Sequence, residues 1–319
     1  LAVEEINKDL SPGAGRPFKV IHADTQGSLD AFEAEAVRLT AVNRVAALLG
    51  GTSFEEAERM ERVRVPVLTP LGSGKRPLGE NVFFTGISAA ARARALARFA
   101  VNDLGATGAT IAQDAPLEDA GGFADIFALE FRAALALKSP KAQPVILRIH
   151  LPTADEAKKI AEMPKDQPMT DAPAVWVFVG RTDDLSLLPP TAATILLAGE
   201  GMRIPNVDSL QNKSAKLYTV SAFHADTAAA KEFAQRYKQA FQFEPDDQAA
   251  LAYEAMKLLN EAVAQGKEPI REELSRIKDF PGLTGPLTFT DMRQLRRPVY
   301  VVQVGRGGQA AAKRFDFED

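Results

Sequence analysis

Residues 45–69 read Val-Ala-Ala-Leu-Leu-Gly-Gly-Thr-Ser-Phe-Glu-Glu-Ala-Glu-Arg-Met-Glu-Arg-Val-Arg-Val-Pro-Val-Leu-Thr, and the pattern in them decides the fold. The apolar run Val45–Gly50 predicts a buried strand. Ser53–Val63 predicts a helix, and Val65–Thr69 predicts a second strand. The same alternation extends outward in both directions. Further candidate strands are Phe18–Ala23, Thr107–Ala112, Val145–His150, Ala174–Val179, Thr194–Ala198 and Leu217–Ser221. Helical stretches lie between them at Ser28–Val42, Ser88–Leu104, Asp119–Ala136 and Thr153–Met163. Short β-rich runs separated by helices are the signature of α/β folds with mainly parallel sheets.

Two later helices are sharper. In Asp226–Phe241 the residues Ala230, Phe233, Ala234, Tyr237 and Phe241 mark one face at helical spacing, with Asp226 the expected N-cap. Asp246–Gln265 stops at Gly266, a residue suited to the left-handed C-cap. Beyond them, Leu287–Phe289, Val299–Val304 and Ala311–Phe315 read as strands without intervening helices, which complete sheets begun earlier. The proline-rich stretch Met163–Pro173 reads as a loop.

Composition narrows the function. A chain of 319 residues is long for one core and comfortable for two lobes. Hydrophobic residues at 46% and charged residues at 25% describe a globular protein, neither disordered nor membrane-spanning. A net charge of -4 argues against a nucleic-acid platform. The absence of cysteine removes thiol chemistry, disulfides and thiolate metal sites. His22, His150 and His224 do not stand at metal-ligand spacing. Leu71-Gly-Ser-Gly-Lys75 imitates a phosphate loop, but Thr69 stands where the first glycine belongs and Arg76 where the hydroxyl belongs. No nucleophile elbow or dinucleotide fingerprint is present, so no enzyme and no cofactor is expected. Leu1–Asn7 reads as part of an amphipathic helix with no cap before it, which places the true N-terminus and any secretion signal upstream.

Taken in order, several segments resemble one family. They begin with Leu1-Ala-Val-Glu-Glu-Ile-Asn7, Ala23-Asp-Thr-Gln26, Gly50-Gly51, Val65-Pro-Val-Leu-Thr-Pro70 and Val82-Phe-Phe-Thr85. They continue with Leu251-Ala-Tyr-Glu-Ala255, Phe280-Pro-Gly-Leu-Thr-Gly-Pro-Leu-Thr-Phe289 and Arg297-Pro-Val-Tyr-Val-Val-Gln-Val304. Together they are similar to the leucine/isoleucine/valine-binding receptors of ABC importers, the type I periplasmic binding proteins. The resemblance implies two doubly wound α/β lobes with mainly parallel sheets, three crossing segments and a ligand cleft between the lobes. It places 1–86 and 222–292 in lobe 1 and 87–221 and 293–319 in lobe 2. The crossings fall near Thr85–Ser88, Val220–Phe223 and Asp291–Arg297.

It also implies a function. An amino acid or similarly small polar solute is bound by hinge closure and handed to a membrane permease, by a monomer in the periplasmic or extracytoplasmic space. The other function compatible with the resemblance is a ligand-sensing regulatory domain that controls a signalling partner. Carried over by position, the ligand residues are Thr52, Ser53, Gly72 and Ser73 in two lobe-1 loops, whose hydroxyls and free N–H groups would hold a ligand's carboxylate, and Glu200 in Ala198-Gly-Glu-Gly201 as acceptor for an ammonium. The other readings are plain helix capping or turn formation for Ser53, Gly72 and Ser73, and a solvated turn acid for Glu200. Phe223 at the second crossing either packs on the ligand or is a buried hinge aromatic. Two positions depart from the family. Glu118 and Asp119, and Arg181 in Val179-Gly-Arg181, stand where relatives carry tyrosines. They pair with each other, read a charged ligand, or lie exposed.

Overall fold

A computed structural model describes residues 1–10, 17–72, 78–113, 122–150, 174–179, 185, 188, 192–198, 212, 214–266, 269–305 and 308–316. The chain divides into two compact units. Unit 1 comprises Leu1–Ser88, Ala222–Pro298 and the chain from Asp316; unit 2 comprises Ala89–Ser221 and Val299–Phe315. Residues 293–298, expected in the second lobe, therefore pack with unit 1. The reason is local: the carbonyl of Arg293 accepts from the Phe84 N–H at 2.8 Å, and Gln294 Nε2 donates to the Gly86 carbonyl at 2.8 Å.

In unit 1, helix α1 (Ala2–Asp9) is followed by α2 (Leu29–Val37), which continues into one π-type turn at Arg38–Val42. Then come β1 (Leu48–Leu49), α3 (Phe54–Arg59), β2 (Val67–Thr69) and β3 (Val82–Phe84). The three strands form a parallel sheet in the order β1-β2-β3. Strand alternation splits its side chains between two cores. Val67, Val82 and Phe84 pack with Phe32, Ala36 and Met60, whereas Leu68 and Phe83 pack with Ala255, Leu258, Leu287 and Phe289.

Phe18–Ala23 is not a strand. The backbone of Phe18 is held instead by one side chain: its N–H donates to Asn7 Oδ1 at 2.8 Å, and Asn7 Nδ2 donates to its carbonyl at 2.9 Å. β3 was legible in the sequence only as a motif.

Unit 2 begins with α4 (Ala89–Asn102), β4 (Gly108–Gln113), α5 (Phe123–Lys138) and β5 (Val145–His150). It continues with β6 (Ala174–Val179), β7 (Thr194–Leu197) and β8 (Lys216–Ser221). Back in unit 1 follow α6 (Ala228–Phe241), α7 (Asp247–Gln265), α8 (Ile270–Ser275), β9 (Phe280–Pro281), β10 (Pro286–Phe289) and β11 (Leu295–Arg296). The chain then returns to unit 2 as β12 (Val299–Gly305) and β13 (Gly308–Phe315). The expected helix Thr153–Met163 and loop Met163–Pro173 lie outside the described residues.

The sheet of unit 2 has the order β13-β12-β8-β7-β6-β4-β5. β5, β4, β6, β7 and β8 run parallel, and the last two strands close the edge antiparallel, which is what strands without helices between them can do. Trp176, Phe178, Ile195, Leu197 and Leu217 form its core on one face. Thr227, not Asp226, caps α6: its hydroxyl accepts from the Ala230 N–H at 3.0 Å and donates to the Leu283 carbonyl. Asp246 caps α7 as expected, and Gly266 ends it at φ 59°.

Candidate functional site

The carboxyl ends of a parallel sheet are where loops and helix starts gather, so candidate residues are sought there. In unit 1 that edge comprises the turns after β1, β2 and β3. Gly51 follows β1 at φ 84°, a conformation that a side chain would strain. Thr69, the last residue of β2, ties the turns together. Its hydroxyl donates to the Gly51 carbonyl at 2.6 Å and lies 3.4 Å from the Leu71 N–H. Its carbonyl accepts from both the N–H and the hydroxyl of Thr85, at 2.8 and 2.9 Å.

Thr52 and Ser53 are exposed on this edge, and their donors already have an acceptor. Glu56 Oε2 takes the Thr52 N–H at 2.7 Å, the Thr52 hydroxyl at 3.3 Å and the Ser53 N–H at 3.2 Å. The Glu56 N–H donates back to Ser53 Oγ at 3.1 Å, which completes a reciprocal capping box at the start of α3. Glu56 thus places a carboxylate on the donors expected to receive a ligand's carboxylate. The Ser-x-x-Glu spacing at 53–56 is the signal that could have revealed it.

Gly72 has a packing reason to be glycine: a Cβ there would stand 2.0 Å from the Ile87 carbonyl oxygen. Gly86 is its counterpart, with a would-be Cβ 2.0 Å from the Pro70 carbonyl oxygen. The turn after β2 and the chain leaving β3 therefore lie backbone to backbone. Phe223 is 8% exposed and meets Phe233 edge-on at 5.5 Å between ring centroids, within the aromatic core under α6. Ser73, Asp119, Arg181 and Glu200 lie outside the described residues. Their positions in the chain follow β2, β4, β6 and β7.

One charged pair in unit 1 escaped the sequence reading. Arg297 and Glu254 are paired with side chains 2% and 3% exposed. Glu254 Oε1 also accepts the Leu283 N–H at 2.8 Å, and the Arg297 guanidinium reaches the carbonyls of Thr85 and Ala222 at 3.2 and 3.3 Å. Among the described residues no cluster of His, Asp and Glu could hold a metal ion, and no helix is long and apolar enough to cross a membrane.

A family model described as periplasmic binding protein matches residues 1–128 and 189–309. The chain belongs to the periplasmic binding protein family. The family is one of non-enzymatic solute binders, and this member has the type I α/β fold with mainly parallel sheets. Solved substrate- and solute-binding proteins of transporters share that fold over nearly the whole chain. One from Desulfitobacterium hafniense, in complex with Leu, has a TM-score of 0.74 at 18% identity, covering 98% of this chain and 93% of that one. LivJ from Streptococcus pneumoniae, in complex with isoleucine, has a TM-score of 0.72 at 19% identity, covering 98% and 91%. A solute-binding protein from Rhodopseudomonas palustris BisB5, in complex with 3,4-dihydroxybenzoic acid, has a TM-score of 0.71 at 16% identity, covering 99% and 91%. No curated protein sequence matches this periplasmic binding protein significantly.

Proposed function

We propose that this protein is the extracytoplasmic receptor of an ABC importer and binds an amino acid or a similarly small polar solute. The observation that carries the reading is the strand order of unit 2. In β5-β4-β6-β7-β8 the connections turn one way from β4 and the other way from β6, so the switch point lies between these two strands. Ligands of doubly wound sheets bind at the carboxyl ends beside such a point. Asp119 follows β4 and Arg181 follows β6, and both are candidate ligand residues of unit 2, with Glu200 after β7 as the acceptor for an ammonium group. In unit 1 the candidates are Thr52, Ser53, Gly72 and Ser73. The relatives crystallised with Leu, isoleucine and a benzoic acid support a small carboxylate as the ligand class.

A thermal-shift screen with the common L-amino acids and with benzoates tests this. A ligand at a hundred times its dissociation constant is expected to stabilise the protein by about 2.7 kcal/mol. No shift with any amino acid would sink the amino-acid reading. Glu200→Ala is expected to weaken binding of an ammonium-bearing ligand at least tenfold by calorimetry. Unchanged affinity removes Glu200 from the site.

A further inference from the structure

We propose that Arg297 is a positioning residue that fastens the unit-1 ends of three of the four chain crossings and links them to the turns after β1 and β2. The chain leaves or re-enters unit 1 at Ser88/Ala89, Ser221/Ala222, Pro298/Val299 and Phe315/Asp316. Thr85, Ala222 and Arg297 each lie within a few residues of one of the first three boundaries. A single guanidinium serves those three. Its Nη1 donates to the Thr85 carbonyl at 3.2 Å, and its Nη2 donates to the Ala222 carbonyl at 3.3 Å. Its own backbone belongs to the third crossing. The planar fork of arginine suits this task, because its donors diverge at fixed angles and a lysine ammonium could not keep the same geometry.

The charge is balanced within the unit. Glu254 accepts from Arg297 Nη2 with one oxygen and from the Leu283 N–H with the other, at 2.8 Å. A buried ion pair is a poor device for stability alone, since apolar residues of similar volume often do as well. Its geometric work is a better account of its presence. Two further ties hold the same crossings: Ala222 N–H donates to Asp247 Oδ2 at 3.0 Å, and Gln294 Nε2 donates to the Gly86 carbonyl at 2.8 Å.

From Arg297 the bonds continue to the candidate ligand turns. The Thr85 carbonyl faces Arg297, while its N–H and hydroxyl both face the Thr69 carbonyl. The Thr69 hydroxyl holds Gly51. A ligand that settles the turns after β1 and β2 thereby biases the crossings through a continuous set of hydrogen bonds. This last step rests on the ligand-binding reading above; the fastening itself does not.

Hydrogen–deuterium exchange of the full chain, read by mass spectrometry, separates the two claims. In Arg297→Lys, peptides covering 82–88, 220–225 and 293–299 are expected to exchange at least tenfold faster together, while peptides from β4, β6 and β7 stay unchanged. If Arg297→Lys does not fold, the double variant Arg297→Met/Glu254→Leu, which leaves no buried charge unpaired, serves in its place with the same expectation. Loosening confined to 293–299, or spread evenly through unit 1, overturns the fastening. In the second arm L-leucine is the probe. It is expected to slow exchange at the three fastened crossings in the wild type, and in the variant only at 48–53 and 67–72. Equal slowing at the crossings of both proteins overturns the link to the ligand turns. No slowing in the wild type counts against leucine as a ligand and leaves the first arm to decide the fastening.

Discussion

Glu56 shows how one residue can change the meaning of a familiar loop. The start of α3 offers the donors that the family resemblance assigns to a ligand's carboxylate, yet Glu56 Oε2 accepts three of them. Two consequences follow at this scale. Glu56→Ala is expected to destabilise the protein by about 1 kcal/mol in urea titration, the usual cost of a lost cap. If these donors also receive a ligand carboxylate, the same variant should bind an amino acid more tightly, because its competitor is gone. Weaker binding would mean that Glu56 orders the turn for the ligand rather than competing with it. Ser53 itself was legible from the sequence as a loop hydroxyl. The Ser-x-x-Glu spacing marks Glu56 as a capping partner, and only the geometry shows that its carboxylate also takes the Thr52 donors.

Helix α1 illustrates what tertiary contacts add to a short element. Eight residues make a marginal helix in water, so its place depends on what it docks against. Ala2 and Ile6 pack on Met256 and Leu259 of α7. Glu5 accepts from Arg236 Nε at 2.9 Å and from the Tyr253 hydroxyl at 2.6 Å, with Lys257 Nζ 3.7 Å away. Burial alone would raise the Glu5 carboxyl, but the Tyr253 hydroxyl and the charges of Arg236 and Lys257 outweigh it and hold it below its usual range. The Tyr253 phenol is pushed up to about 12 by burial and by its bond to Glu5. Because the folded carboxyl titrates lower than the unfolded one, its contribution is fully present above the ordinary glutamate value of ~4.3. It fades as pH falls through the lower folded value. Glu5→Gln is expected to cost about 1–2 kcal/mol at pH 7, with the difference from wild type shrinking towards pH 3 in urea melts. A difference independent of pH would show that the carboxylate charge contributes nothing.

At the scale of the molecule, the path of the chain constrains how it unfolds. Unit 1 is built from segments separated by residues 89–221, which belong to unit 2. A state with only one unit folded must carry the other as a long closed loop, at an entropic cost of about 4 kcal/mol. Urea unfolding followed by fluorescence of Trp176, the single tryptophan and a core residue of unit 2, should therefore coincide with the far-UV dichroism transition of the whole chain. Two separated transitions would show that the units unfold independently.

The alternation of apolar runs and helices is a local property, and it determined the α/β class and most strands of unit 2. The run Ala174–Val179, for example, predicts the strand with the bounds it has, because a central parallel strand is apolar at nearly every position. The caps of α7 were equally legible, since Asp246 and Gly266 act on their immediate neighbours. Phe18–Ala23 failed because its residues have strand character while a remote side chain, Asn7, holds its backbone. Thr227 displaced Asp226 because its hydroxyl also reaches Leu283, far along the chain. The Arg297–Glu254 pair was invisible for the same reason: nothing in either local sequence says that the two charges are buried together. What depends on neighbours in the chain was determined by the sequence. What depends on partners brought from distant segments was decided only by the tertiary structure, because burial and pairing are properties of the packed chain.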